Sequence, residues 1–214
     1  MINIIRNNKL SFLIVSICIF FVIILSGLVI IYDELLIDSM VYEFLMNNFS
    51  CEFIDQFMIN ITKLGDTKFV ILFTGIIFLG LLFSLKKFTL PVIFVGCVSG
   101  ITFINQVLKF SVKRVRPDIN RLIEIGGYSF PSGHSMVSVV LYGFISYLIF
   151  KFVKNKIIRN SLIFLSILIV LLIGISRIYI GVHFFSDVVV GFMLSVIFLV
   201  IVINILEKKL FSQN

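Results

Sequence analysis

The sequence predicts an all-α, polytopic membrane protein, a bundle of six transmembrane helices with an interfacial helical segment on the outer face. Three observations carry that expectation. Of the 214 residues, 60% are hydrophobic and only 14% are charged, whereas soluble domains carry about 25% charged residues. Stretches almost free of charge recur at the length that crosses a bilayer, about 20 residues in a helix. Lysine and arginine also fall unevenly between alternate connections, as they do when one set of loops is cytoplasmic.

The first apolar run is Leu10 to Ile31. Arg6 and Lys9 in front of it resemble the start of a secretory signal. The run is too long for a signal core, however, and Ser26-Gly27-Leu28-Val29 leads into further apolar residues without a small-x-small cleavage site, so a retained first helix is expected. The connection from Tyr32 to Lys68 is the longest polar stretch and carries seven acids. Within it Met40, Phe44, Leu45, Phe49, Phe53, Ile54 and Phe57 recur at helical spacing. That pattern fits an amphipathic helix lying in the outer interface, and equally a solvated cap packed on the bundle. The acids Asp33, Glu34 and Asp38 are read as a solvated loop rather than a metal site, because hard cations require larger sets of oxygen ligands.

Spans two and three follow as Phe69 to Leu85 and Phe88 to Leu108. The fourth and fifth, Ser135 to Phe150 and Ser161 to Ser176, are short, so their ends must extend into polar flanks or lie in locally thinned bilayer. Val188 to Leu206 completes the six. No Pro-, Gly- or Ser-rich linker and no internal repeat divides the chain, and residues 1–214 are read as one domain.

With the N-terminus cytoplasmic, the inside segments hold ten basic residues against the single acid Glu207. These are Arg6, Lys9, Lys86, Lys87, Lys151, Lys154, Lys156, Arg159, Lys208 and Lys209. The outside segments hold the other eight basic residues and ten acids. Both termini are therefore expected in the cytoplasm. The pI of about 9.4 reflects these loops. No basic face interleaved with exposed aromatics suggests a nucleic-acid partner. Three cysteines, two of them within spans, give no disulfide framework.

Against this apolar background the chemistry is concentrated in three places. Lys109 ends the third span, and Arg116-Pro117 follows seven residues later. Lysine can reach headgroup level from a helix end, and the arginine fork suits two phosphate oxygens. Taken alone, Lys109, Lys113, Arg114 and Arg116 would be read as a cluster contacting lipid headgroups. Pro131-Ser132-Gly133-His134 stands where a loop enters the fourth helix. Ser132 is a candidate N-cap, the free amides of a helix start bind anions, and Gly133 lets the backbone approach a phosphate closely. Ser176-Arg177 precedes His183, and Asp187 lies four residues beyond, at the start of the sixth helix. On one helical face Asp187 can take the Nδ1 proton and leave Nε2 of His183 as a nucleophile. With six spans and an inside start, all three places fall on the outer face. His134 and His183 are the only histidines in the chain.

Lys109-x6-Arg116-Pro117, Pro131-Ser132-Gly133-His134 and Ser176-Arg177-x5-His183-x3-Asp187 together resemble the three-part signature of the type 2 phosphatidic acid phosphatase superfamily. No signature position departs from it. In size and layout the chain resembles small bacterial members that act on phosphatidylglycerophosphate or undecaprenyl pyrophosphate. The resemblance implies hydrolysis of a lipid phosphomonoester or pyrophosphate at the outer leaflet. His183 would be the nucleophile, Asp187 would hold its ring, and His134 would serve as acid and then base. Lys109, Arg116, Ser132, Gly133 and Arg177 would cradle the phosphoryl group. Three cations in that cradle imply no metal and no cofactor. Lys113, Arg114 and Arg121 suggest extra negative charge on the headgroup, or simple contact with anionic lipid. Two other readings stand beside this one: an inactive lipid-binding or flippase-like protein, which the intact histidines argue against, and vanadate-dependent peroxidase chemistry. The soluble vanadium haloperoxidases share the signatures alone, and the apolar spans disfavour that reading.

Overall fold

The computed structural model describes residues 8–119 and 121–208. Arg6 and Lys209 of the basic tally lie outside them. Among the described residues, eight α-helices follow in order: α1 (Asn8–Tyr32), α2 (Leu36–Phe49), α3 (Glu52–Thr62), α4 (Thr67–Leu85), α5 (Thr89–Val112), α6 (Gly133–Phe152), α7 (Lys156–Tyr179) and α8 (Phe185–Leu206). A single 3-10 turn, Lys63–Gly65, joins α3 to α4. Six helices, α1 and α4 to α8, are long and apolar enough to cross a membrane.

Helix α6 is central, packed against α5, α7 and α8. Between His134 at its start and Lys151 at its end it carries no charge and is apolar on most sides, as expected of a helix surrounded by others, and Met136, Val140, Leu141 and Phe144 are fully buried along it. Phe144 meets Phe94 of α5 with ring centroids 5.2 Å apart. Helix α1 packs on α8 and leaves Phe12, Phe20 and Ile23 exposed, which suits a face turned to lipid.

The short fourth and fifth spans are lengthened into their polar flanks. Helix α6 begins at Gly133, capped by Ser132. Helix α7 begins at Lys156, where Asn155 Oδ1 accepts from the amides of Ile157 and Ile158 at 3.0 and 3.2 Å. Capping by polar side chains sets both starts, and hydropathy alone does not register it. At their other ends α4 and α5 stop on Lys86 and Lys113, both in the left-handed region.

The long polar connection forms two helices, because the chain turns extended at Ser50 and Cys51. Leu45, Met46, Ile54, Met58 and Ile59 pack on Tyr179, Ile180 and Val182. Tyr179 Oη donates to Asp55 Oδ1 at 2.6 Å and to the Phe49 carbonyl at 3.2 Å. Met40, Phe44, Phe49, Phe53 and Phe57 face away from the bundle and are exposed. The hairpin is thus a packed cap whose outer surface is apolar, joining features of both sequence-based alternatives.

Candidate active site

The end of α5, the loop that follows it, the start of α6 and the α7–α8 turn meet at one end of the bundle. Backbone bonds hold the loop there: Ser129 N–H donates to Arg114 O (2.8 Å), Leu122 N–H to Ile180 O (3.1 Å) and Ser132 N–H to Asp187 O (3.1 Å). Lys109 lies in the last turn of α5, and its ammonium donates to the Tyr128 carbonyl and to Ser129 O at 3.4 Å.

His183 lies in the α7–α8 turn, before the first residue of α8. This differs from the expected helix start. Gly181, at φ +77°, turns the chain after α7. The amides of Val182 and His183 then both donate to Arg177 O, at 3.3 and 3.2 Å. Asp187 is the third residue of α8, a position from which a carboxylate can accept the amide that precedes the helix. Its Oδ2 takes Phe184 N–H at 3.0 Å and lies 3.2 Å from His183 Nδ1. Ser129 Oγ donates to the same oxygen and lies 3.4 Å from Nδ1. A carboxylate at Nδ1 makes that nitrogen the protonated one. Nε2 is left with its lone pair, 3.2 Å from an Arg116 guanidinium nitrogen. Burial above all, then the charges of Arg177, Arg116, Lys109 and His134, hold the His183 imidazole well below the ordinary histidine value.

The other oxygen of Asp187 accepts from Arg114 Nη1 at 2.5 Å. Arg114 also donates to Asp38 Oδ2 (2.9 Å), Ser186 Oγ (2.8 Å) and Asp33 O (2.6 Å). Asp38 in turn accepts from Ser186 N–H at 2.8 Å and from Leu35 N–H at 3.2 Å. Asp38 and Asp187 therefore occupy the same third position on α2 and α8, and one guanidinium joins them. Both the headgroup reading of Arg114 and the solvated-loop reading of Asp38 are corrected here, since each residue is only 2% exposed. Lys113, by contrast, is exposed. Arg121 turns back to its own backbone, donating to Pro117 O at 3.0 and 2.6 Å.

Arg116 does not present an empty fork. It donates to the carbonyls of Gly126 (3.1 Å), Gly127 (3.1 Å) and Val182 (2.7 Å), so its role in this conformation includes holding the loop beside His183. Arg177 is 1% exposed and donates to Thr62 Oγ1 at 2.7 Å, while its Nε has no partner. A buried donor left unpaired costs about 1–3 kcal/mol.

At the start of α6, Ser132 Oγ accepts from Ser135 Oγ at 2.9 Å and from Ser135 N–H at 3.4 Å. A Cβ on Gly133 would stand 2.9 Å from Asn105 Oδ1. Asn105 Nδ2 ties the loop down through Pro131 O at 3.0 Å. The amides of this first turn have no carbonyl acceptor further back in the helix, and Ser132 Oγ meets that of Ser135. His134 extends the other way, its Nε2 2.8 Å from Asp66 Oδ1. That hydrogen bond is the main reason the Asp66 carboxyl is held below its ordinary value.

His183, Asp187 and Arg116 are thus in direct contact, Lys109 and Ser132 reach them through the loop backbone, and residues 62–66 lie against both Arg177 and His134. Sequence reasoning does not single out Asp66, Asn105, Ser129 or Thr62, and it gives Arg114 and Asp38 other roles than the ones they hold here. The available signals were an acid at the third position of α2 and an aspartate immediately before the apolar run of α4.

Arg114, Arg116, Arg177 and His183, buried together at one end of a bundle of six membrane-length helices, define the class as a multi-pass membrane protein with a buried cationic cluster. Comparison with known proteins narrows this. The family model described as PAP2 superfamily matches residues 88–211. Phosphatidylglycerophosphatase B of Bacillus subtilis (strain 168) is 34% identical over 168 residues, covering 75% of this chain and 80% of that protein. The crystal structure of a transmembrane PAP2 type phosphatidylglycerolphosphate phosphatase from Bacillus subtilis superposes with a TM-score of 0.84 at 27% identity, covering 93% of this chain and 98% of the other. Aquifex aeolicus LpxE shares the fold, with a TM-score of 0.62 at 24% identity over 80% of this chain and 98% of its own. The chain belongs to the PAP2 superfamily.

Proposed function

We propose that this protein is a lipid phosphatase that hydrolyses a phosphomonoester or pyrophosphate on a membrane lipid through a phosphohistidine. The observation that carries the reading is the polarised ring of His183, with Nδ1 against Asp187 and Nε2 turned to a guanidinium. Nε2 attacks phosphorus in line as the bond to the lipid oxygen breaks, and His134 gives that oxygen its proton. His134 then takes a proton from water, the resulting hydroxide attacks phosphorus, and the N–P bond breaks to release phosphate and neutral His183. Arg177, Arg116, Lys109 and the amides at the start of α6 stabilise the equatorial oxygens, a task that is mainly electrostatic in phosphoryl transfer. Fixed cations supply what a metal would supply elsewhere, so the reaction is metal-independent.

The name of the 34%-identical relative favours phosphatidylglycerophosphate among the substrates, with phosphatidate and undecaprenyl pyrophosphate as the alternatives. The distribution of lysine and arginine favours cytoplasmic termini and an outer-face site. Detergent-solubilised protein should release phosphate from at least one of these three lipids, unaffected by EDTA and inhibited by vanadate. Lipid binding without phosphate release would favour the flippase-like reading, and halide oxidation with vanadate the peroxidase one. Activity lost to EDTA and restored by Mg²⁺ would refute metal independence.

A further inference from the structure

The aspartate that precedes α4 has an ordinary local task that it does not perform. Asp66 is the N-cap of α4, where a carboxylate normally accepts from the first-turn amides, yet its side chain makes no capping bond. It turns instead to His134 Nε2 at 2.8 Å, across 68 positions of sequence. The turn that carries it is built around that ring. A Cβ on Gly65 would stand 2.8 Å from His134 Cδ2, so the backbone at 65 touches the imidazole in a way only glycine permits. Tyr142 Oη, on the same helix as His134, donates to Leu64 O at 3.3 Å. Thr62, at the other side of the turn, holds Arg177. Residue 66 also lies outside the segment matched by the family model, residues 88–211.

We infer that Asp66 is a positioning residue for the proton-transferring histidine: it accepts Nε2–H of His134 and turns Nδ1 toward the leaving oxygen. The inference rests on the phosphatase reading and deepens it. Two aspartate–histidine pairs then work with opposite nitrogens. Asp187 takes the Nδ1 proton of His183 and frees Nε2 to attack, while Asp66 takes the Nε2 proton of His134 and frees Nδ1 to give and recover a proton. The balance is simple. His134 begins doubly protonated, gives the Nδ1 proton to the lipid oxygen and remains neutral with Nε2–H on Asp66. It then takes a proton from the attacking water at Nδ1. A carboxylate that fixes the tautomer and direction of an imidazole in this way is a recurrent device of acid–base sites.

The test uses the full-length chain and Asp66→Asn, Asp66→Ala and Asp66→Glu, with phosphatidate and p-nitrophenyl phosphate as substrates. Acid–base assistance is typically worth about 10²–10⁴-fold, and mispositioning should forfeit part of it. Asp66→Asn and Asp66→Ala should lower kcat on phosphatidate by about 10–100-fold with KM little changed. Phosphoenzyme formation from p-nitrophenyl phosphate, whose leaving group needs little protonation, should fall only a few-fold. Asp66→Glu should recover part of the loss. An equal loss on both substrates, or none on either, would overturn the inference while leaving the phosphatase reading intact if His134→Ala remains impaired. A readout independent of turnover comes from the two histidines of the chain, which give only two sets of imidazole ¹⁵N signals. The set lost in His134→Ala should shift in Asp66→Asn while the other stays. If it does not shift, Asp66 does not govern that ring, whatever the enzyme hydrolyses.

Discussion

Replacing Arg114 by alanine removes one guanidinium and strands two buried carboxylates. Arg114 bonds Asp187 at 2.5 Å and Asp38 at 2.9 Å, with both acid side chains shielded from solvent. Breaking a buried ion pair by removing one partner costs about 3–5 kcal/mol. The two pairs share a single cation and relax together, so the cost of one pair, not the sum of two, is the fair figure. For a chain of this size about 2–4 °C of melting temperature corresponds to each kcal/mol, which places the expected drop at about 6–20 °C. Lysine keeps the charge but lacks the planar fork, so Arg114→Lys should fall between wild type and alanine. Unfolding in detergent can be followed with a thiol-reactive dye that reports exposure of buried Cys97, in a Cys18→Ser, Cys51→Ser background because Cys18 is partly exposed and Cys51 exposed. Had Arg114 only touched lipid headgroups, alanine would change stability by about 0.5 kcal/mol or less, as surface substitutions usually do. An alanine variant that melts within 2 °C of wild type, as about 0.5 kcal/mol implies, would refute the argument.

The acid limb of kcat/KM should move to higher pH in Arg116→Gln. Burial and neighbouring cations hold His183 below its ordinary value, so removing one cation stabilises the imidazolium and protonates the nucleophile at higher pH than in wild type. A limb that stays put or moves down contradicts that sign, and comparing two enzymes on one substrate cancels the substrate's own titration. Gly133→Ala should lower phosphate release about tenfold or more, by the order that misplacement at a reacting centre costs, because the new methyl meets Asn105 Oδ1 at 2.9 Å. Adding Asn105→Ala should recover part of the loss, and a double variant no better than the single would dismiss the steric explanation. In the Cys51→Ser background, Glu124→Cys should react with an impermeant thiol reagent on whole cells and Lys154→Cys should not. The reverse pattern would invert the topology.

The bundle was legible because membrane spans are read from long local runs of composition, and only their capped ends escaped. Leu10–Ile31 grew by two residues at its start and one at its end, whereas Ser161–Ser176 grew by five and three, since Asn155 caps α7 in a segment hydropathy treats as loop. The signature residues were legible for a different reason: His183 and Asp187 lie four apart, and their contact survives although His183 sits before the helix and not on it. What supports them was not legible. Asp38 and Arg114 meet across 76 positions, and Asp66 and His134 across 68. A carboxylate in a polar segment looks solvated until the fold brings it a partner. Arg116 shows the converse, for an arginine near a site suggests an empty anion fork, while the folded loop supplies two carbonyls to it and the α7–α8 turn a third.

The central claim is the covalent histidine, and rapid-quench labelling with ³²P-labelled p-nitrophenyl phosphate, whose leaving group needs little protonation from His134, tests it most directly. His134→Ala loses the base that activates water, so it should accumulate acid-labile, alkali-stable label on the protein, with wild type showing less and His183→Ala none. Label that builds up in His183→Ala and never in His134→Ala would require the two roles to be exchanged. Wild-type turnover with no labelled protein in any variant, at quench times shorter than one turnover, would contradict the phosphohistidine itself.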